Sequence, residues 1–368
     1  MLEFSEPWTK LVAVIIVAFL ISIATTPIVK AFATKVGAMD VPRDSRRVHD
    51  HPIPRMGGLA IFLGFLLSVL LFVNITREVR GILLGLILIV ATGILDDIIS
   101  LNAWIKLGAQ IAAALIAVLH GVVIHFFMHP NVFMEGNVIN IGWLAYPITV
   151  LWIVGITNSV NLIDGLDGLA VGVSTISCIT ILVAVLLTGG VDPSVPLLVA
   201  ALAGACIGFM PYNLNPAKIF MGDTGSLMLG FTLSTVSVLG LFKFYTVVTF
   251  VVPVLALAVP LSDTVFAFCR RILHGQSPFK ADRGHFHHKL MDLGLSQKQA
   301  VAILYAISAI LGLAAVTLTT NGAMRILLLL IALVIAIVVW AYIARTVKLH
   351  PHTHQSNNKG EQDGQEKH

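Results

Sequence analysis

Charged residues are scarce in this sequence. Of its 368 residues only 11% are Asp, Glu, Lys or Arg, whereas a soluble domain carries about 25%. Apolar residues make up 57% of the chain, and the mean hydropathy is +0.92. This balance excludes a disordered chain, a collagen, a coiled coil and a soluble domain as the body of the protein. The net charge of +4 is too small to indicate a nucleic-acid partner.

Cysteine is scarce as well, and common cofactor motifs are missing. Cys178, Cys206 and Cys269 fall in or at the edge of apolar runs. They supply neither a disulfide framework nor the spacing of zinc ligands. The chain contains no His-Glu-x-x-His, no Walker A loop and no Gly-x-Gly-x-x-Gly. These absences exclude a zinc protease, a P-loop enzyme and a Rossmann domain.

The chain is rich instead in long apolar runs. A membrane-spanning helix needs about 20 mainly apolar residues. Eleven runs, some short for a full crossing, lie at about 8–29, 56–73, 80–95, 104–127, 143–157, 169–187, 195–212, 226–242, 247–268, 299–318 and 324–344. The first run lacks a small-residue cleavage site, which predicts a retained anchor. We therefore predict an all-α polytopic membrane protein with about eleven transmembrane helices.

The distribution of Lys and Arg predicts how these helices are oriented. If the runs alternate across the membrane, 18 basic residues fall on one side, counting the C-terminal tail, and 5 on the other. Cytoplasmic loops carry the excess, so the N-terminus is predicted outside and the C-terminus in the cytosol. Residues 1–345 are predicted to form one catalytic transmembrane domain. The polar stretch 346–368 is predicted to be a disordered cytosolic tail.

With this orientation the long polar connections share the cytosolic side. They are residues 43–58, 95–101, 158–168, 213–226 and 270–299. Five aspartates lie within them at the membrane edge, namely Asp96, Asp97, Asp164, Asp167 and Asp223. Charge at that depth is costly unless it is partnered, and only Lys106 and Lys218 accompany these aspartates. A bound Mg²⁺ would supply the missing positive charge, and helix capping is the alternative for each aspartate taken alone.

The segment 158–168 places an amide or carboxylate at every third position. These groups belong to Asn158, Asn161, Asp164 and Asp167. On a helix such residues form a strip along one side, and Gly165 and Gly168 would let a ligand approach the backbone closely. The strip predicts a binding surface, with an interhelical hydrogen-bonding seam as the alternative.

Two further segments suit phosphate. Gly222-Asp-Thr-Gly-Ser226 leads into an apolar run, and small residues at a helix start offer free N–H groups to an anion. The same letters also form an ordinary capping sequence. In the last loop His285, His287 and His288 stand among Lys and Arg residues. They are candidates for metal binding or for donating to a phosphate, with a solvated surface loop as the alternative.

Taken in order, these motifs resemble the polyprenyl-phosphate N-acetylhexosamine-1-phosphate transferases over about residues 8–345. The matching segments are Pro54-Arg-Met-Gly-Gly58, Leu95-Asp-Asp97, 158–169, Phe220-Met-Gly-Asp-Thr-Gly-Ser226 and His285-Phe-His-His288. The resemblance implies a multi-pass enzyme of the bacterial plasma membrane that uses Mg²⁺, with Mn²⁺ as a substitute. Such an enzyme joins a UDP-sugar to undecaprenyl phosphate and releases UMP. The resemblance leaves homo-oligomerisation open.

The last loop also indicates a branch of that family. Members that transfer phospho-MurNAc-pentapeptide usually carry three adjacent histidines, whereas this chain has His-x-His-His. The pattern resembles the WecA/TagO branch, which transfers GlcNAc-1-phosphate from UDP-GlcNAc at the first membrane step of a cell-envelope glycopolymer such as teichoic acid. The MurNAc-pentapeptide transferase remains the alternative. A polytopic transporter and a membrane metallohydrolase are more distant ones.

The resemblance also implies roles for individual residues. Asp223 would be the principal metal ligand, with Asn161 and Asp97 as further ligands. Asp96 and Asp97 would handle the metal or the incoming lipid phosphate, one of them as a base, and Asp164 would belong to the same catalytic strip.

The remaining implied roles concern substrate binding. The turn from Gly165 to Asp167 and the ring of Phe220 would form the uracil pocket, and Asn158 and Asn161 would bind substrate beside it. His287 and His288 would bind the pyrophosphate. They would do so with Arg283 and His285 from the same loop.

Overall fold

The computed structural model describes residues 7–42, 51–124, 126–128, 138–189, 192–240, 247–273, 285–320 and 322–349. The helices within them are α1 (Pro7–Val36), α2 (Gly58–Phe72), α3 (Arg77–Ile99), α4 (Ala103–Leu119), α5 (Ala145–Leu162), α6 (Leu169–Thr188), α7 (Ser194–Asn213), α8 (Gly222–Gly240), α9 (Val247–Ala256), α10 (Ala258–Leu273), α11 (Phe286–Asp292), α12 (Gln297–Leu318) and α13 (Gly322–Leu349). Two short antiparallel ribbons pair β1 (Met39–Asp40) with β2 (Ile53–Pro54) and β3 (Phe126–Met128) with β4 (Val138–Asn140).

Seven of these helices are long and apolar enough to cross a membrane. They are α1, α3, α5 with its preceding turn, α6, α7, α12 and α13. Shorter apolar helices, among them α2 and α4, accompany them. This confirms the predicted all-α polytopic membrane fold. Each of the eleven apolar runs falls on a helix, while the number of crossings and the sides of the termini stay predictions.

The structure differs from the sequence pattern in three places. The run 104–127 is helical only to Leu119, because the chain turns at Gly121 with φ of +102° and then enters β3. The run 247–268 forms two helices, α9 and α10, that meet at Leu257. Helix α13 continues to Leu349, past the predicted domain end. The rest of the predicted tail, 350–368, lies outside the described residues.

Helix α8 lies at the centre of the bundle against α3, α5 and α2. All of its residues except Asp223 are buried. Its inner hydroxyls donate to carbonyl oxygens of the same helix, as Thr232 does to Met228 at 2.8 Å and Ser237 does to Ser234 at 2.7 Å. These polar side chains are therefore satisfied locally. The first turn of α8 differs, because its polar groups bond to other elements.

The break between α9 and α10 is held by a neighbouring helix. Pro253 lies inside α9, and Pro260 lies near the start of α10. A proline removes a backbone donor and leaves carbonyl groups without helical partners. Ser177 of α6 donates its hydroxyl to the Ala256 carbonyl at 2.6 Å and satisfies one of them. The break directs α10, which carries the buried Asp263, toward the last polar loop.

Candidate active site

Helix ends from across the sequence meet at one cleft of about 470 Å³. Six of its lining residues were candidate site residues from the sequence, namely Asn161, Asp164, Gly165, Asp167, Phe220 and Asp223. Asp96, Asp97 and Asn158 do not line it. The cleft also takes side chains that the sequence did not single out, including Arg55, Asn213, Asn215 and Gln297. The C-terminal end of α5 and the first turn of α8 therefore face a shared space.

Asp96, Asp97 and Asp223 form what we call the carboxylate cluster. The ammonium of Lys106, on α4, lies 2.8 Å from Oδ2 of Asp223 and 3.3 Å from Oδ2 of Asp96. The other oxygen of Asp96 accepts from the Leu101 N–H at 2.7 Å. A single cation thus bridges two carboxylates that stand at the ends of different helices. The bridge lowers their repulsion, which is strong where water is scarce.

Asp97 caps the first turn of α8. Its carboxylate accepts from the Asp223 N–H at 3.0 Å, from the Thr224 N–H at 3.1 Å and from the Thr224 hydroxyl at 2.6 Å. The side chain is fully buried, and Arg55 lies 3.3 Å from it. Gly222, with φ of +67°, passes so close to this carboxylate that a Cβ would collide with it. The capping interpretation is therefore realised at Asp97, and its metal role stays a prediction.

The Pro-Arg-Met-Gly-Gly motif, residues 54–58, places Arg55 beside Asp97. The Gly57 N–H donates to the Phe220 carbonyl and the Gly58 N–H to the Met221 carbonyl, both at 2.9 Å. A Cβ on Gly58 would strike the backbone of Gly225, in the first turn of α8. Only glycine permits this approach of two helix starts. The backbone of the motif therefore packs against the first turn of α8, and its Arg55 side chain supplies one positive charge to the site.

The predicted strip 158–168 divides into two parts. Helix α5 ends at Leu162, so only Asn158 and Asn161 lie on a helix, and the expectation that all four polar groups share one helix face was wrong. Gly168, with φ of +77°, belongs to the turns that end the helical path. Asn161 still reaches the carboxylate cluster, donating to Asp223 Oδ1 at 3.2 Å and to the Ser226 hydroxyl at 2.8 Å.

Asn158 faces another way. Its amide pairs with the buried amide of Gln110 on α4, at 2.5 and 3.3 Å. The seam between helices, which was the alternative for this strip, is therefore formed at Asn158. Its role in substrate binding stays a prediction.

Asp164 follows the end of α5 and lines the cleft. Burial is the main cause that raises the pKa of its carboxyl to about 8, and the nearby carboxylates of Asp223 and Asp97 contribute to that rise. The carboxyl is therefore mostly protonated at pH 7 and can donate a hydrogen bond.

Asp167 lines the cleft, as Phe220 does, and joins three segments of the chain. Its Oδ2 accepts from the Asn215 amide at 2.9 Å and from the Ala217 N–H at 3.0 Å. The same Asn215 nitrogen donates to Gln297 Oε1, at the start of α12, at 2.8 Å. This network fixes the loop after α7 against the turn after α5. It shapes the part of the cleft where the uracil pocket is predicted.

The histidine loop, which we define as His285 to His288, is anchored by Asp263 of α10. Asp263 Oδ2 lies 2.7 Å from His285 Nδ1, and Oδ1 accepts from the Phe286 N–H at 2.8 Å. Asp263 and His285 are both buried. The rings of His285 and His287 stack with centroids 5.7 Å apart. Arg283, the fourth residue predicted for this loop, lies outside the described residues.

His287 connects this loop to the cleft. A Cβ on Gly165 would lie 2.6 Å from Nε2 of His287, so only glycine lets the ring pack there. Burial is the main cause that lowers the pKa of His287 to about 4, and His288, whose ring centroid lies 4.3 Å away, contributes to that decrease. The ring is therefore neutral at pH 7 and offers one N–H donor.

Three residues with evident roles were missed from the sequence. Lys106 appeared only in a charge count, and Arg55 only within a motif. Asp263 is the one charged residue in the apolar run 247–268, which was a usable signal, because an isolated charge in such a run is a functional-site hypothesis. The links made by Asn215 and Gln297 had no sequence signal.

The carboxylate oxygens at this site suit a hard divalent cation that the protein binds together with the phosphates of a substrate. In the described part of the chain, no three His, Cys, Asp or Glu side chains are placed to hold a metal by themselves. Mg²⁺, however, is usually held by one or two carboxylates together with substrate phosphates and waters. Asp96 and Asp223 already share one cation, Lys106. Their oxygens therefore suit a cation at this end of the cleft.

The bundle and the cleft together define a polytopic membrane protein with a polar cleft among its helix ends. Residues 79–241 match the model of glycosyl transferase family 4. The chain belongs to this family, as its relatives also indicate. It is 47% identical over 310 residues, covering 83% of this chain and 85% of the relative, to a probable undecaprenyl-phosphate N-acetylglucosaminyl 1-phosphate transferase of Bacillus subtilis.

Two other relatives are named for a different lipid acceptor or for the transfer of a different sugar phosphate. A decaprenyl-phosphate N-acetylglucosaminephosphotransferase of Mycolicibacterium smegmatis is 34% identical over 90% of this chain and 88% of its own length. A phospho-N-acetylmuramoyl-pentapeptide-transferase of Heliobacterium modesticaldum is 36% identical over 64% of this chain and 75% of its own length. The family resemblance drawn from the motifs is confirmed, and this chain is a glycosyl-1-phosphate transferase.

Proposed function

We propose that this protein transfers GlcNAc-1-phosphate from UDP-GlcNAc to undecaprenyl phosphate, giving undecaprenyl-diphosphate-GlcNAc and UMP. The observation that carries the proposal is the 47% identity to a relative named for this transfer, over most of both chains. Two relatives named for phospho-MurNAc-pentapeptide transfer match at lower identity, 36% and 32%. The His-x-His-His loop supports the same choice.

The reaction brings two anions together. A phosphate oxygen of the lipid attacks the β-phosphorus of the donor, the bond from that phosphorus to the bridging oxygen breaks, and UMP leaves with that oxygen. Preorganised cations and N–H donors stabilise charge that spreads in such a transition state. Lys106 and Arg55 supply positive charge at the carboxylate cluster. His287 and His288 supply N–H donors at the opposite side, toward the pyrophosphate.

Asp223 and Asn161 are the proposed metal ligands, with Asp97 as a further one behind them. Asn161 and Asp223 are hydrogen-bonded at 3.2 Å, so one cation can reach both side chains. Mg²⁺, or Mn²⁺ in its place, would lower the repulsion between the two phosphates when bound. Asp96 keeps Lys106 beside Asp223 and orients the lipid phosphate. A lipid phosphate is already ionised near pH 7, so the transfer does not require a strong base.

The nucleotide is proposed to lie at the other end of the cleft. Phe220 would stack on the uracil, and Asp167 and the backbone at Gly165 would contact its edge. These three residues line the cleft together with Asp223. Gly165 also borders His287, so a pyrophosphate between the two groups would be within reach of the histidine loop.

We further propose that the cleft faces the cytosol of a bacterial cell, in the plasma membrane. The 18-to-5 distribution of Lys and Arg supports this orientation. UDP-sugars are made in the cytosol, which agrees with it. A single cysteine at position 215, on a cysteine-free background, should react with a membrane-impermeant thiol reagent only after the cells are opened. Labelling in intact cells would contradict the proposed side.

The reaction is tested with purified protein in lipid vesicles. UMP release should require both UDP-GlcNAc and undecaprenyl phosphate, and UDP-MurNAc-pentapeptide in place of UDP-GlcNAc should release little. Preference for the pentapeptide donor would favour the alternative transferase. UMP release without lipid phosphate would indicate a hydrolase instead.

A further inference from the structure

Gln297 lines the cleft beside the proposed uracil pocket and has no assigned role. Its Oε1 accepts a hydrogen bond from the Asn215 amide at 2.8 Å, and the same nitrogen donates to Asp167 Oδ2 at 2.9 Å. Because one nitrogen reaches both oxygens, the two oxygens are at most the sum of those distances apart. A single planar ring can therefore contact both side chains along one edge.

Asn215 fixes which way the amide of Gln297 faces. The side-chain nitrogen of Asn215 is only a donor, so the atom of Gln297 nearest to it must be the carbonyl oxygen. Turning the amide over would set N–H groups against each other. Among the described residues, no acceptor lies within hydrogen-bonding distance of Nε2 of Gln297. Two N–H donors are thus left to meet a ligand.

The side chain also stands on a rigid support. Ser296 and Gln299 form a capping box at the start of α12, with the Ser296 N–H donating to Gln299 Oε1 at 2.8 Å. Further along α12, the Tyr305 hydroxyl donates to the Gly168 carbonyl at 2.5 Å. This bond ties α12 to the turn that carries Asp167. Gln297 and Asp167 are therefore held in a fixed relation.

The edge of uracil presents a donor and an acceptor side by side, the N3–H and the O4 carbonyl. Cytosine presents the reverse, an acceptor at N3 and a donor amine at C4. We propose that Asp167 and Gln297 read this edge together and select uridine over cytidine nucleotides. Asp167 accepts from N3–H, and Nε2 of Gln297 donates to O4. The inference rests on the proposed function, because it takes a UDP-sugar as the donor.

The test compares kcat/KM for UDP-GlcNAc and CDP-GlcNAc in the wild-type protein and in Gln297→Glu. The new carboxylate keeps the oxygen that Asn215 binds and replaces the donor by an acceptor. We expect kcat/KM for UDP-GlcNAc to fall about 10- to 100-fold, mostly through KM. The preference for UDP over CDP should fall at least about tenfold. Gln297→Ala should lose preference without gaining any for cytidine.

Gln299→Glu is the matched control. It lies two residues further along α12 and outside the cleft lining, and Glu preserves the capping box. Gln299→Glu should keep the wild-type ratio of kcat/KM for UDP-GlcNAc to kcat/KM for CDP-GlcNAc. A variant that folds but turns over slowly is tested by ligand binding instead. The rise in its unfolding temperature with UMP is compared with the rise with CMP, which reports the preference for uridine without turnover.

Two results would overturn the inference. An unchanged UDP-to-CDP ratio in Gln297→Glu, with normal wild-type turnover, would sink this inference alone. A wild-type protein that releases no UMP from UDP-GlcNAc would sink the proposed function and this inference with it.

Discussion

The carboxylate cluster reaches the cleft through Asp223, and the histidine loop reaches it through His287, which packs against Gly165. The two regions differ in how they are held. Asp97 binds two backbone N–H groups and a hydroxyl at the start of α8, and Lys106 joins Asp96 to Asp223.

In the histidine loop, Asp263 binds the His285 ring and the Phe286 N–H, while the Phe286 ring packs against Phe266. In the cluster, the same carboxylates hold the fold and are proposed to act in the reaction. In the loop, the side chain that holds the segment, Asp263, is distinct from the rings proposed to act, those of His287 and His288.

The comparison shows how a polar site is built at the edge of a bilayer. Buried charges are costly unless paired and hydrogen-bonded, so most oxygens of the cluster serve neighbouring elements. Asp223 differs, because its side chain is partly exposed and bonds to the side chains of Lys106 and Asn161. Activity and stability should therefore separate at Asp223 and not at Asp97.

The largest effect is expected at Asp223. Asp223→Asn should lower UMP release by about 10³-fold while leaving the unfolding temperature near the wild-type value, since a neutral amide is a poor ligand for a hard cation. Turnover and thermal unfolding are measured on the same detergent-solubilised sample. Asp192→Asn, whose carboxylate caps α7 through Ser194, is the control with normal turnover. Near-normal turnover of Asp223→Asn at limiting Mg²⁺ would remove the metal assignment.

Asp97→Asn tests the same difference between Asp97 and Asp223, namely whether a carboxylate serves stability as well as activity. Its amide nitrogen faces N–H groups that need an acceptor, so the free energy of unfolding should fall by about 1–3 kcal/mol in addition to the loss of turnover. If Asp97→Asn were as stable as Asp223→Asn, the two carboxylates would not differ as described.

The next effect is expected in the reactive rings of the loop. His288→Ala should lower turnover about 10²-fold. His288→Arg should retain more, because Arg presents fixed donors to phosphate oxygens. Added Mg²⁺ should rescue neither variant. Recovery of His288→Ala by excess divalent metal, together with an inactive His288→Arg, would show that the loop binds metal.

A smaller effect is expected at the anchor of the loop. Asp263→Asn keeps one acceptor for the Phe286 N–H and loses the charge beside His285. Turnover should fall about tenfold, an effect similar in size to the loss of a hydrogen-bond partner that orients a histidine in other sites. The double variant with His285→Ala should be little worse than His285→Ala alone, because both changes break one contact. Additive losses would mean that Asp263 acts elsewhere.

The smallest effect is expected at the nucleotide end. Phe220→Ala should raise the KM for UDP-GlcNAc about fivefold, which corresponds to the lower end of the 1–3 kcal/mol that stacking on a base is worth. The KM for undecaprenyl phosphate should barely change. An equal rise in both constants would place Phe220 in the general support of the cleft.

Much of the fold was predictable from the sequence, because hydrophobic periodicity and length are local properties. Each of the eleven apolar runs contains helix, and four of the five polar segments supply nearly all the residues that line the cleft. The break at Leu257 and the early end of α4 at Leu119 depend on packing that local patterns do not record.

The site was predictable in its residue types and less so in its contacts. Asn158 and Asn161 stand three positions apart on α5, yet one pairs with Gln110 and the other with Asp223. Which neighbour each side chain meets is decided by the arrangement of α4 and α8, which lie far apart in sequence. The same holds for Asp263 and His285, because only the folded chain brings them together.

The most direct test of the account follows the β-phosphate itself. Vesicles containing the protein and undecaprenyl phosphate are given UDP-GlcNAc radiolabelled in its β-phosphate, with Mg²⁺. The account predicts that the label moves into the lipid fraction in step with UMP release, and that Asp223→Asn moves none. Label released into water as GlcNAc-1-phosphate, or carried into the vesicles as intact UDP-GlcNAc, would contradict it.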